Sequence, residues 1–162
     1  MSLRAAKAAT LRHTLAACVP DLQRHCSDPW IVIGSAAALL VGAPVDVADL
    51  DVLTSVGDAR SLIGHWQGRL LATDGLKDAD RFRSHFARFA FPHPVEVMGG
   101  LEVATPEGWR PVRIGAIRMV EVDGLDVPVP TIQEQVRLLE WFDRPKDRLR
   151  AETLKNLKVT PA

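Results

Sequence analysis

Cysteine is scarce: Cys18 and Cys26 are the only two in 162 residues. Nothing in the sequence indicates an oxidising compartment, so a disulfide is not expected. A Cys-x7-Cys pair also lacks the close ligand spacing of a structural zinc site, and His25 beside Cys26 does not repair that. Both thiols therefore read as small buried or half-buried residues. Net charge is missing too, since 20 Lys and Arg balance 20 Asp and Glu. No global field steers such a chain to nucleic acid or membrane, and any role of that kind needs a local patch. No run approaches the ~18 consecutive apolar residues of a membrane span. The charged start, Met1 to Lys7, is not followed by an uninterrupted apolar stretch and a cleavage site. The expectation is a cytoplasmic protein without repeats or low-complexity segments.

What is present is an ordinary globular composition, 47% hydrophobic and 25% charged. A chain of this length typically removes ~70% of its unfolded surface from water, enough for one sizeable core. Leu11, Leu15 and Val19 recur at helical spacing in an Ala-rich segment, which predicts a helix over 3–25 that Pro20 kinks or ends. Ser27-Asp28-Pro29 breaks the chain before a strand at 30–33. A helix follows from 35 or 36, stopped by Gly42 and Pro44. A second strand is expected over 48–54 and a helix over 58–69. Further strands are expected from Ser84 to Phe91, over 95–98 with Gly99-Gly100 as the stop, and as a short piece near Trp109. Residues 119–129 read as a hairpin turning at Asp123-Gly124. Thr131, with Glu134 three positions on, caps a helix carrying the stripe Ile132, Val136, Leu139 and Phe142. A last helix follows Pro145. The pattern is an α/β (α+β) domain with a mixed sheet of four to six strands. Its expected organisation is a body over 1–130, including the N-terminal helix, with a C-terminal helical extension, 131–162, packed on it.

One stretch stands out chemically. Asp49 and Asp51 are two apart in an otherwise apolar strand, so both carboxylates point to one face. Two unneutralised carboxylates at that separation repel, and a hard divalent cation is the usual partner. Residues 46–58 hold four Asp and no Lys or Arg. Fifteen positions before Asp49, Gly34-Ser35 sits where a strand hands over to a helix. Glycine there lets backbone approach a ligand closely, and N–H groups opening a helix favour phosphate. A further lone carboxylate, Glu96, lies in the apolar strand Val95-Glu96-Val97.

This constellation resembles the nucleotidyltransferase superfamily that shares the DNA polymerase beta palm. The likeness covers residues 28–100: a hydrophobic residue, Gly34-Ser35, a gap, Asp49-Leu-Asp51 in a strand, and a third acidic residue, Glu96, on a later one. Arg144-Pro-Lys-Asp147 resembles the basic-acidic motif that follows the core in small bacterial members. The resemblance implies Asp49, Asp51 and Glu96 as catalytic residues and ligands of Mg2+ (or Mn2+). It implies Gly34, Ser35 and Lys146 as nucleotide-binding residues. The implied reaction is an in-line displacement at the α-phosphorus of an NTP, with pyrophosphate leaving.

The expected function is transfer of an NMP from an NTP to tRNA or another nucleic acid, a protein side chain or a small molecule. The rival is a catalytically silent member that binds a nucleotide or a partner. A homodimer or a toxin–antitoxin partner is compatible with the small size. Arg81, Arg83 and Arg88 read first as a solvated charged face and second as candidate triphosphate cations. Residues 144–158 carry Arg144, Lys146, Arg148, Arg150, Lys155 and Lys158 against Asp147 and Glu152, read as a basic helix face or a phosphate contact. Asp46 reads as a loop residue. His65 and His85 read as ordinary helix or strand histidines, and His93 as a weak site candidate. Trp109 reads as packing rather than base stacking. A restriction-type nuclease would need Lys two residues beyond an acidic residue, and Met98 occupies that position after Glu96.

Overall fold

The computed structural model describes residues 2–157, so Lys158 of the basic tail lies outside the described residues. The elements run α1 (Leu3–His25), β1 (Ile31–Ile33), α2 (Gly34–Leu40), β2 (Leu50–Thr54), α3 (Val56–His65), β3 (Leu70–Ala72), β4 (Phe82–Phe89), β5 (Val95–Thr105), β6 (Gly108–Pro111), β7 (Ile117–Val122), β8 (Leu125–Pro130), α4 (Ile132–Phe142) and α5 (Pro145–Lys155). Six strands form one mixed sheet in the order β1-β2-β5-β4-β3, with β6 added to the end of β5, and β7-β8 form a separate hairpin. This is the α+β architecture with a mixed sheet expected from the sequence. Among the described residues, no helix is long and apolar enough to cross a membrane.

Period-2 alternation divides the sheet into two faces. Val32, Leu50, Val52, Ala87, Phe89, Val95 and Val97 point into one core with Leu11, Leu15, Val19 and Leu22 of α1 and Ala59 and Leu62 of α3. Each fully buried Leu there contributes about 1.5–3 kcal/mol. Ile31, Ile33, Leu53, Phe86 and Met98 point the other way, into a core closed by Leu138 and Phe142 of α4. A third cluster, Leu139 with Ala151 and Leu154, fastens α5 to α4 and reaches Ala38 of α2. The C-terminal helices thus lie on the sheet face opposite to α1 and α3.

Several expectations are corrected by packing. α1 spans Leu3–His25 as expected, but Pro20 lies inside it without ending it; the buried stripe from Leu11 to Leu22 holds both sides of the proline against the sheet. β5 runs through Gly99-Gly100 instead of stopping there. The reason is a close approach: a Cβ at Gly99 would fall 2.7 Å from Ala59 Cβ and 2.9 Å from the Ser55 carbonyl oxygen. α2 begins at Gly34 itself, and α3 begins at Val56 and ends at His65, with a 3-10 turn over Gln67–Arg69. β3 was not foreseen. Asp49 immediately precedes β2 rather than lying inside it.

Local chemistry accounts for the junctions. Ser55 caps α3 by accepting from the Asp58 N–H at 3.1 Å. Asp58, buried at 3% exposure, accepts from the Ser27 and Asp28 N–H groups at 2.9 Å each and from the Thr54 hydroxyl at 3.1 Å. It thereby ties the loop after α1 to the end of β2. Asp123 (φ 51°) and Gly124 (φ 82°) both take the left-handed conformation that a tight two-residue hairpin turn demands. Thr131 caps α4 as expected, accepting from the Glu134 N–H at 3.2 Å. The Glu134 carboxylate accepts from the Gly115 N–H and from Arg137 instead of returning to the cap.

Candidate functional site

β2 and β5 are parallel neighbours, and their register places Asp51 directly opposite Glu96. Both side chains occupy the face that looks toward α4 and α5. Asp49, one step before β2, stands at the same edge. On the other side of β5, the β4 register sets Arg88 opposite Glu96. The Arg88 guanidinium donates to Glu96 Oε1 at 2.8 Å and lies 3.4 Å from Asp49 Oδ1. The candidate triphosphate cation of the sequence thus pairs with two of the three carboxylates. Asp49, Asp51 and Glu96 all line one cavity of about 290 Å³, together with Gly34, Ser35 and Lys146. All six candidate residues therefore border the same space.

The electrostatics of that wall are unfavourable without a further cation. Burial, then Glu96, then Asp49 push the Asp51 carboxyl from 3.8 up to about 7. Burial and Asp49 likewise raise the Glu96 carboxyl, with Arg88 opposing. Gly34 (φ 72°) opens α2 against Asp51, and a Cβ there would lie 2.8 Å from Asp51 Oδ2. Only glycine leaves that carboxylate oxygen uncovered. Hard oxygen donors, raised carboxyls and an open approach at Gly34 fit a divalent cation such as Mg2+. Among the described residues, the cluster whose ligand atoms all fall within 4.8 Å of one another is Asp21, His25 and His65, on the opposite side of the sheet. The three carboxylates are more loosely spaced than that cluster.

The opposite wall is basic. Lys77, Arg144, Lys146 and Arg150 line the cavity, and Arg150 and Lys77 both lower the Asp51 carboxyl against its other neighbours. Arg144 forks onto Asp147, with Nε 2.5 Å from Oδ2 and Nη2 2.9 Å from Oδ1, and reaches Asp78 at 2.7 Å. Asp147 is fully buried. The fork fixes the first turn of α5 and so presents Lys146 and Arg150. Phe82, Met98, Leu101, Val112, Leu138 and Phe142 supply an apolar end to the same cavity.

Other sequence candidates lie elsewhere. Arg83 pairs with Glu102 at 2.8 Å and covers the Trp109 ring at 4.5 Å, so Trp109 packs as expected. Arg81 donates to the Phe142 carbonyl. Arg148 pairs with Asp143, and Lys155 with Glu140. His93 is buried against α1, its N–H donating to the Thr14 hydroxyl at 2.7 Å. Asp46 borders the cavity. Lys77 and Gln135 also border it; no motif marked them, because a loop lysine and a helix glutamine carry no spacing signal. The Arg144–Asp147 fork did carry one, an i,i+3 pair of opposite charge at a helix start.

No family model and no curated protein matches the sequence. The fold is nevertheless similar to solved structures. One is a candidate nucleotidyltransferase from Thermotoga maritima, with a TM-score of 0.69, 25% sequence identity and 92% of each chain covered. Another is the lincosamide antibiotic adenylyltransferase LnuA bound to lincomycin, with a TM-score of 0.56, 13% identity, and 88% of this chain and 96% of that one covered. A third is the antibiotic-resistance factor ANT(2'')-Ia, with a TM-score of 0.50, 12% identity, and 94% and 83% covered. At 12–13% identity the latter two bear on the fold alone. This chain has a nucleotidyltransferase-superfamily fold.

Proposed function

We propose that this chain is a Mg2+-dependent nucleotidyltransferase that moves an NMP from an NTP to a hydroxyl-bearing acceptor. The observation that carries the reading is the register of β2 and β5, which sets Asp51 opposite Glu96 beside Asp49 and the bare Cα of Gly34. Asp49, Asp51 and Glu96 would hold the cation. Bound there, it would supply positive charge to the phosphates and to the attacking oxygen. The chain's own groups divide the remaining work. Gly34 lets a phosphate oxygen come close to the backbone, and the Ser35 hydroxyl donates to it. Lys146 and Arg150, held by the Arg144–Asp147 fork, neutralise the outer phosphates and the departing pyrophosphate. Glu96, on the neighbouring strand beside the cation, would accept the acceptor's proton. The apolar end of the cavity takes the flat face of a base or an acceptor.

A second reading, nucleotide binding without transfer, is favoured by one observation: the Arg88 guanidinium sits where Asp49 and Glu96 would otherwise face a cation. Calorimetry with each NTP and Mg2+, followed by pyrophosphate release with acceptor panels, separates the two. Transfer requires release that Asp49→Ala abolishes. Binding without release selects the second reading. If the wild type and Asp51→Ala bind NTP with Mg2+ alike, the metal-dependent transfer reading fails; if neither binds, both readings fail.

A further inference from the structure

On the sheet face away from the carboxylates, α1 and α3 bring three metal-ligating side chains together. Asp21 and His25 are one helical turn apart near the end of α1, and His65 is the last residue of α3. Positions i and i+4 share a helix face. One ligand atom from each of the three lies within 4.8 Å of the others. Asp21 Oδ1 is 3.8 Å from His65 Nε2, and the two imidazole rings lie 3.6 Å apart between centroids.

The surroundings hold these groups in place. Asp21 Oδ2 accepts a hydrogen bond of 2.9 Å from Trp66 Nε1. That indole is buried and packs edge-on against Phe89 and Phe91. One carboxylate oxygen is therefore anchored while the other lies 3.8 Å from His65 Nε2, as outer partners arrange around metal ligands. His25 Nε2 is buried and finds no hydrogen-bond partner among the described residues. An unpaired buried ring nitrogen is unfavourable, and a metal bond at that atom would relieve it.

We propose that Asp21, His25 and His65 form a second metal site, separate from the cavity, for a late first-row divalent cation such as Zn2+. Two imidazoles and one carboxylate suit Zn2+ rather than Mg2+. Three protein ligands leave a fourth position for water, and exposed His65 gives solvent access. The ion clips the C-terminal ends of α1 and α3 together.

The full-length protein, stripped with a chelator and kept in excess Mg2+, is titrated with Zn2+ by calorimetry and melted with and without it. Co2+ serves as the spectroscopic probe. The expected result is one equivalent of Zn2+ and a higher Tm for both the wild type and Asp51→Asn, with visible d–d bands of four-coordinate Co2+. His65→Ala, a change at an exposed helix end, loses the binding and the Tm rise. Asp21→Asn weakens binding more than about tenfold. Zn2+ affinity unchanged in both His65→Ala and Asp21→Asn overturns the proposal. Binding lost in folded Asp51→Asn also overturns it, because the ion would then belong to the cavity.

Discussion

Asp51 and Glu96 face each other across parallel strands, side by side on one sheet face, with Arg88 bound to Glu96 from the third strand. Two carboxylates and one guanidinium leave a net negative wall, and Asp49 adds to it. The arrangement is stable enough to fold around but is incomplete in charge, and its consequences can be measured.

The first concerns pH. The Asp51 carboxyl moves from 3.8 to about 7 on folding, through burial, Glu96 and Asp49. Between those values the folded chain keeps a proton that the unfolded chain has released. Stability of the cation-free protein therefore falls as pH rises through that window. Three pKa units correspond to roughly 4 kcal/mol as a ceiling, lowered here because the side chain opens onto the cavity. Asp51→Asn should stabilise the protein in chelator by about 2 kcal/mol near pH 8, and by little near pH 4. Urea denaturation at both values checks this, and a gain independent of pH would contradict it.

Arg88 supplies the counter-charge that a cation would replace. Arg88→Met should cost about 1–3 kcal/mol in chelator near pH 8, because it leaves Glu96 buried without its partner. The same change should tighten Mn2+ binding, since the guanidinium no longer competes for Asp49 and Glu96. Melting and calorimetry read the two effects. Weaker Mn2+ binding would show that Arg88 supports the cation rather than standing in for it.

Gly34 is constrained twice, by a left-handed φ of 72° and by the 2.8 Å gap to Asp51 Oδ2. Gly34→Ala should lower stability by about 1–2 kcal/mol from backbone strain. It should also reduce NTP and Mg2+ affinity far more than that loss of stability explains. A variant that binds both ligands normally would remove Gly34 from the site.

Asp147 is fully buried and holds the α5 start through the Arg144 fork. Asp147→Ala leaves Arg144 without its bidentate partner and should cost about 3–5 kcal/mol. Charge reversal at neighbouring Lys146, an exposed residue, should leave stability within ±0.5 kcal/mol while weakening NTP binding. Denaturation and calorimetry on the two variants distinguish the frame from the contact.

Much of the cavity was legible because strand periodicity is short-range: Asp49 and Asp51 announced one face, and the Gly34-Ser35 spacing announced the turn beside it. That Glu96 joins Asp49 and Asp51 was implied by the family resemblance, but its register directly opposite Asp51 was not legible, since pairing between distant strands is a tertiary property. The same holds for β5 running through Gly99-Gly100. Two glycines read as a stop until α3 is seen pressed against them. Arg88 looked like one more solvated cation because its partners come from β5 and from the approach to β2. His65 and Asp21 carry no joint signal at all, being distant in sequence and joined only where α3 crosses α1. Capping was legible at Thr131, where one hydroxyl and one N–H decide the matter locally. The fate of the Glu134 carboxylate was not, because Gly115 and Arg137 compete for it.

The β4–β5 pairing also bears on the order of assembly. Arg88 and Glu96 are eight positions apart, joined by a short turn, whereas β2 reaches β5 only after a long crossover. Local hairpins close within microseconds, and long-range pairing is slower because more loop entropy is lost first. This order predicts that Glu96 meets Asp49 and Asp51 with its counter-ion already attached, which lessens the repulsion within the net negative wall. Arg88→Met should accordingly slow refolding more than it speeds unfolding, a partition that stopped-flow chevrons resolve.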